Sequence, residues 1–113
     1  MSINGKLYAF DALAALSANI ANNVSAPEWE QSLFKFIGEW LSDSETISVK
    51  TSGSTGPSKV FNVPKTRMIQ SAERTASLFH LKKNNTALLC LPVNYIAGKM
   101  MVVRAFVAGL DLY

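Results

Sequence analysis

The sequence has one cysteine, few charged residues and no apolar run approaching the length of a membrane span. A single cysteine, Cys90, excludes an internal disulfide. The lack of a disulfide framework fits a reducing, cytoplasmic setting. Cys90 lies in the run Ala87-Leu88-Leu89-Cys90-Leu91 and reads as a core thiol. Nothing beside it in sequence would depress its pKa, so a nucleophilic role is not expected. Charged residues make up 17% of the chain and the net charge is +3. The basic residues are scattered, with Lys82-Lys83 the one adjacent pair. A nucleic-acid groove would need them clustered and interleaved with aromatics, so no nucleic-acid partner is expected. No stretch reaches the roughly 20 apolar residues of a membrane helix. Met1 to Tyr8 lacks the basic start and apolar core of a signal peptide, so no membrane partner is expected either.

What is present is a globular composition, 49% hydrophobic over 113 residues, enough for one small domain. So apolar a chain, with so few charges, implies apolar faces that a neighbour would cover. The neighbour would be the rest of a larger protein or a second copy of the chain.

Periodicity predicts a first helix from about Asp11, with Leu13, Leu16 and Ile20 on one face and Asp11 as N-cap. A second helix carries Trp29, Leu33, Phe36, Ile37, Trp40 and Leu41 on one face. Ser25 and Glu28 have capping-box spacing before it, and Pro27 suits its first turn. Thr46 to Lys50 alternates like a half-buried strand, and Lys59 to Val63 reads as its return, so the loop between them sits at a hairpin tip. Met68, Ile69, Ala72, Ala76 and Phe79 predict a third helix that stops by Asn84-Asn85. Thr86 to Leu91 reads as a short buried strand. Ile96 to Ala108 reads as a deeply buried helix capped by Gly109, and Leu110 to Tyr113 opens another strand. The expected class is α/β: N-terminal helices over residues 1–45, then a hairpin and a βαβ unit with a parallel pair over residues 46–113.

The loop Thr51-Ser52-Gly53-Ser54-Thr55-Gly56-Pro57-Ser58-Lys59 carries the chemistry. Gly53 and Gly56 free the backbone to curl, so that consecutive N–H groups can point into one concavity. Thr51, Ser52, Ser54 and Thr55 add hydroxyl donors, and Lys59 adds a positive charge. Donors with one cation and no acidic residue suit a polyphosphate. The spacing is not that of a Walker A loop, which has four residues between its glycines and a Gly-Lys-Ser/Thr opening a helix. On composition alone, a flexible hairpin tip or linker would have the same look.

The run Thr51 to Lys59 resembles the signature loop of the adenylate-forming superfamily, which includes acyl-CoA synthetases, luciferases and peptide-synthetase adenylation domains. Its first six residues match the family pattern in full, and Lys59 falls at the family lysine. Ser58 and Val60 depart, standing where Pro and Gly are usual. A second segment, Leu91-Pro92-Val93-Asn94-Tyr95-Ile96-Ala97-Gly98, resembles the family's Leu-Pro-x-x-His-x-x-Gly, with Tyr95 in place of the histidine or aromatic. Within the superfamily, the stretch from Ile47 to Arg104 is most similar to o-succinylbenzoate–CoA ligases.

The resemblance implies an ATP-dependent carboxylate–CoA ligase of menaquinone biosynthesis, using ATP, Mg²⁺ and coenzyme A on a small carboxylic acid. It implies that Thr51, Ser52, Gly53, Ser54, Thr55, Gly56 and Lys59 hold the ATP phosphates and that Tyr95 and Gly98 shape the acyl pocket. The family's adenine-binding segment, ribose-binding aspartate and C-terminal lysine find no match in the chain. The expectation is therefore an N-terminal fragment of the AMP-binding domain, with no catalytic residue of its own and inactive alone. Other expectations stay open: an aryl-CoA ligase, a peptide-synthetase adenylation domain, or a small non-catalytic binding domain.

Overall fold

A computed structural model describes residues 1–51 and 56–113. The chain begins with a short hairpin, β1 (Ser2–Ile3) and β2 (Lys6–Leu7), turned at Asn4 and Gly5, both with positive φ. That pair of left-handed residues gives the tight turn whose twist matches the strands. Helices α1 (Phe10–Ala21) and α2 (Glu28–Leu41) follow and pack on each other. Next come the antiparallel hairpin β3 (Thr46–Lys50) and β4 (Val60–Pro64), then α3 (Lys65–Leu78). A βαβ unit ends the chain: β5 (Thr86–Ala87), α4 (Ile96–Ala108) and β6 (Asp111–Leu112). The described strands form one sheet in the order β2-β1-β6-β5 and the separate two-stranded hairpin. Both β5 and β1 run parallel to β6, so the first residues of the chain complete the sheet begun by its last.

The core forms where α4 lies against the other helices. Met100, Val102, Val103 and Ala105 are buried on α4, Leu33, Phe36 and Ile37 on α2, and Met68 and Ala72 on α3. Ile47 and Val49 carry the inward side of β3, as their alternation requires. A chain of tilted aromatic rings joins three helices. Phe10 of α1 meets Phe106 of α4 at 5.9 Å, Phe106 meets Trp40 of α2 at 6.4 Å, and Trp40 meets Phe36 at 6.4 Å. These are favourable aromatic separations. Gly109 takes the left-handed conformation, φ +67°, at the C-terminus of α4, as expected of a helix C-cap.

The α/β class, the hairpin and the parallel pair agree with the sequence reading, and several details differ. Asp11 is not the N-cap of α1. The helix starts at Phe10, and the Asp11 carboxylate accepts from the Ala12 N–H inside the first turn. Ser25 and Glu28 form no capping box. Glu28 is already the first helical residue, preceded by Pro27, and Ser25 sits in a turn where its N–H donates to Asn23 Oδ1. Glu28 and Glu30 in the first turn compensate by facing the positive end of the helix dipole. Trp29 lies off the buried face and is 66% exposed, while Phe34, not assigned to that face, is buried. The return strand is displaced by one residue, from Lys59–Val63 to Val60–Pro64. Phe79 falls just past the end of α3 and is exposed. The run Thr86 to Leu91 is a strand only over its first two residues. The ladder continues through Leu89 N–H to the Tyr113 carbonyl at 2.6 Å, and then the chain leaves the sheet. Cys90 is therefore exposed, not a core thiol. No helix among the described residues is long and apolar enough to cross a membrane.

Candidate functional site

Strands β3 and β4 pair in register from Thr46↔Pro64 to Lys50↔Val60. One step further, Thr51 and Lys59 close the base of the loop with two bonds. The Thr51 N–H donates to the Lys59 carbonyl at 2.9 Å, and the Lys59 N–H donates to Thr51 Oγ1 at 2.9 Å. The Thr51 hydroxyl thus uses an acceptor lone pair here. Gly56 stands in open space, and residues 56–59 are exposed. Ser52, Gly53, Ser54 and Thr55, assigned to the same phosphate grip, lie outside the described residues.

The second motif is brought to the foot of that loop. Tyr95, 38% exposed, is the residue before α4 and forms a parallel bridge with Lys50, the last residue of β3. The Tyr95 N–H donates to the Pro92 carbonyl at 3.4 Å, and its own carbonyl accepts from the Lys99 N–H at 3.1 Å. Gly98 is buried in the first turn of α4 because the Leu91-Pro92 backbone passes directly over it. A Cβ built there would stand 2.2 Å from the Pro92 oxygen. Gly98 is thus a close-approach glycine, and its contact fixes the Leu91–Tyr95 turn against the helix.

The structure therefore gathers Thr51, Gly56, Lys59 and Tyr95 about one hairpin end, with Gly98 beneath as packing. Sequence reasoning passed over two residues near this region. Lys99 follows Gly98 and is only 8% exposed, its ammonium 4.4 Å from the centre of the Phe36 ring. Burial lowers its pKa below the ordinary 10.5; nearby Glu39 opposes the shift and Lys35 adds to it. Trp29 lines an open cleft of about 410 Å³ with Leu33, Cys90 and Leu91. A lysine inside an apolar helix was the available signal for the first. No periodicity could have separated Trp29 from its buried neighbours.

Among the described residues no group of three His, Cys, Asp or Glu is placed to hold a metal ion. The loop offers hydroxyls, amides and a lysine, which suit phosphate oxygens and not a divalent cation. Mg²⁺ thus finds no fitted ligand set among the described residues.

No family model matches the chain. It is 35% identical over 92 residues to a probable 2-succinylbenzoate–CoA ligase of Mycobacterium tuberculosis, found alike in strains CDC 1551 / Oshkosh and ATCC 25618 / H37Rv. The match takes in 76% of this chain and 22% of that protein. The backbone superposes on the crystal structure of an acyl-CoA synthetase (AMP-forming)/AMP-acid ligase II-like protein from Dyadobacter fermentans. The TM-score is 0.73 and the identity 30%, over 88% of this chain and 28% of that one. The chain thus spans about a fifth of the length of the curated relatives it matches. In sequence and in backbone alike, it fits a segment of the adenylate-forming superfamily, the group to which the AMP-forming acyl-CoA ligases belong.

Proposed function

We propose that this chain supplies the ATP-phosphate grip of a carboxylate–CoA ligase, with 2-succinylbenzoate as the acid and menaquinone biosynthesis as the setting. The observation that carries the reading is the Lys50–Tyr95 bridge, which joins the phosphate-loop hairpin to the segment assigned to the acyl pocket. Both substrates of an adenylation, ATP and the acid, must meet within a few ångströms. A fold that ties the two motifs backbone to backbone meets that need.

In the first half-reaction a carboxylate oxygen attacks the α-phosphorus of ATP, and the bond to the bridging oxygen of pyrophosphate breaks. Negative charge builds on the leaving group. Amides and hydroxyls of Thr51, Ser52, Gly53, Ser54, Thr55 and Gly56 stabilise it by hydrogen bonding, and the Lys59 ammonium by charge. Tyr95 borders the acid, and Gly98 shapes that pocket only by holding the Leu91–Tyr95 turn against the helix. Coenzyme A takes the acyl group in the second half-reaction, for which these residues offer no catalytic group. The chain by itself is therefore proposed to be inactive, its phosphate grip serving a larger ligase.

The test is ATP binding by the chain, followed by calorimetry, beside an assay of acyl-AMP formation. Wild type is expected to bind ATP more tightly than AMP, because the grip is on the β- and γ-phosphates. Lys59→Ala is expected to weaken ATP about tenfold, the loss of one charge-assisted contact. Equal affinity for AMP and ATP would refute the phosphate grip. Measurable acyl-AMP turnover would refute the proposed inactivity.

A further inference from the structure

A regular hydrogen-bonded rung of an antiparallel ladder is made of two backbone bonds, each residue donating its N–H to the other's carbonyl. The β3–β4 ladder ends at Lys50↔Val60, and the next pair, Thr51 and Lys59, is built differently. The Thr51 N–H donates to the Lys59 carbonyl at 2.9 Å, as a ladder requires. The Lys59 N–H donates instead to Thr51 Oγ1, also at 2.9 Å. A side chain thus takes the place of a carbonyl in the last rung.

The exchange has two consequences. The Thr51 carbonyl is released from the ladder, so β3 can turn away into the loop while the loop ends stay together. Both polar groups of the Lys59 backbone are tied to one residue eight positions earlier. Lys59 is exposed, and its ammonium is carried on a flexible four-carbon stem. Where that stem starts is therefore set by the backbone, and the backbone is set by Thr51. The motif counts Thr51 with the phosphate donors, yet its amide is spent on Lys59 and its hydroxyl oxygen accepts from the same residue.

We propose that Thr51 is a positioning residue: its hydroxyl locks the Lys59 backbone where the ammonium reaches the β- and γ-phosphates of ATP, so that Thr51 acts on the nucleotide through Lys59. The inference rests on the phosphate grip proposed above and adds the device that aims its lysine. Fixing the root of the stem in advance lowers the entropy lost when the side chain settles on a phosphate. The device also dictates the residue type, because it needs an acceptor atom bonded to Cβ. Serine has one. Valine has the shape of threonine without it. Aspartate has one but would bring a negative charge to a polyphosphate.

The experiment titrates the full chain with ATP and with AMP by calorimetry and follows exchange of the Lys59 amide by NMR. The proteins are wild type, Thr51→Ser, Thr51→Val, Lys59→Ala and the double variant Thr51→Val with Lys59→Ala. Valine keeps the shape and strand preference of threonine, so the fold is kept. Thr51→Val is expected to weaken ATP about fivefold, the value of one neutral hydrogen bond, and to leave AMP unchanged. It is also expected to speed exchange of the Lys59 amide in the free protein. Thr51→Ser should restore both. In the Lys59→Ala background Thr51→Val should cost less than about twofold, since no ammonium remains to be aimed. A hydroxyl that gripped phosphate directly would cost the same in both backgrounds. Additive losses therefore overturn the proposal. So does Thr51→Val with wild-type ATP affinity or wild-type Lys59 exchange, or Thr51→Ser as weak as Thr51→Val. Equal affinity of wild type for ATP and AMP is a separate outcome, read before any variant, and it overturns the phosphate grip and the proposal with it.

Discussion

Replacing Gly98 with alanine should unfasten the turn that carries Tyr95. An alanine Cβ would stand 2.2 Å from the Pro92 carbonyl oxygen, 2.5 Å from the Pro92 carbonyl carbon and 2.8 Å from the Leu91 oxygen. Ordinary contact begins near 3.4 Å, so the backbone must part by more than an ångström. All three obstacles are main chain, and none can rotate away as a side chain would. Overpacking of this kind costs about 3 kcal/mol, the upper part of the usual range. Against it stands the better helix propensity of alanine, about 1 kcal/mol over glycine. The net expectation is a loss of about 2 kcal/mol. For a domain of this size that lowers Tm by roughly 10 °C. Gly38 in the last turn of α2 is the matched control. Its added Cβ meets Ser17 Cβ at 3.6 Å, an ordinary contact, so Gly38→Ala should gain up to about 1 kcal/mol from propensity alone. Thermal melts followed by circular dichroism read both variants. If Gly98→Ala melts at or above the wild-type temperature, the close approach over α4 is not what fixes the Leu91–Tyr95 turn.

Two further variants probe the ends of the fold. Gly109 caps α4 at φ +67°, so Gly109→Ala should cost about 1 kcal/mol for left-handed backbone in an L-residue, measured by urea unfolding; no loss would mean that the cap shifts without strain. The Asp111 carboxylate accepts from Ser2 Oγ at 2.6 Å and from the Gly5 N–H at 3.0 Å, and the Ser2 bond chiefly holds its pKa below the ordinary 3.8. A carboxylate depressed on folding contributes stability at pH values above its unfolded pKa, and that contribution is lost as pH falls through the folded one. Asp111→Asn should therefore flatten the acid side of the stability curve below about pH 4, and a curve that keeps the wild-type slope there would place the dependence elsewhere.

How much of this was legible in the sequence depended on whether the signal was local. The β3–β4 hairpin, α4 and its glycine cap announce themselves within a dozen residues, through alternation, helical apolar content and a residue suited to positive φ. The N-terminal hairpin was equally local. Asn4-Gly5 is a strong turn signal, but only two residues pair on each side, too few for alternation to register. Cys90 and Leu88 were misplaced for a different reason. An apolar run signals burial only if something covers it, and the chain leaves the sheet after Leu89, with both side chains exposed. Trp29 shares that character: it reads as core by type, and it stands at the wall of a cleft. The motif singled out Gly98 for the acyl pocket, and its close approach to the Pro92 backbone was not legible. No property of the glycine itself foretells that the Pro92 carbonyl lies where a Cβ would be.

Gly98 also ties the two motifs together through the backbone. The missing Cβ lets the Leu91-Pro92 backbone lie on the first turn of α4, which sets where Tyr95 enters the helix. Tyr95 is held there by bonds to Pro92 and Lys99 and by its bridge to Lys50. Lys50 is the residue before Thr51, and Thr51 with Lys59 closes the loop base. A displacement at Gly98 is thus passed to the loop through consecutive backbone contacts, none of them through a long side chain that could absorb it. Gly98→Ala should for that reason weaken ATP even under conditions where the variant remains folded, with the loss measured by calorimetry well below its Tm. Lys59→Ala, by contrast, should weaken ATP with little change in melting, since Lys59 is exposed and its backbone bonds are kept. If Gly98→Ala lowered stability and left ATP affinity intact, the bridge would be packing alone, and the link between acyl segment and phosphate loop would have to be sought elsewhere.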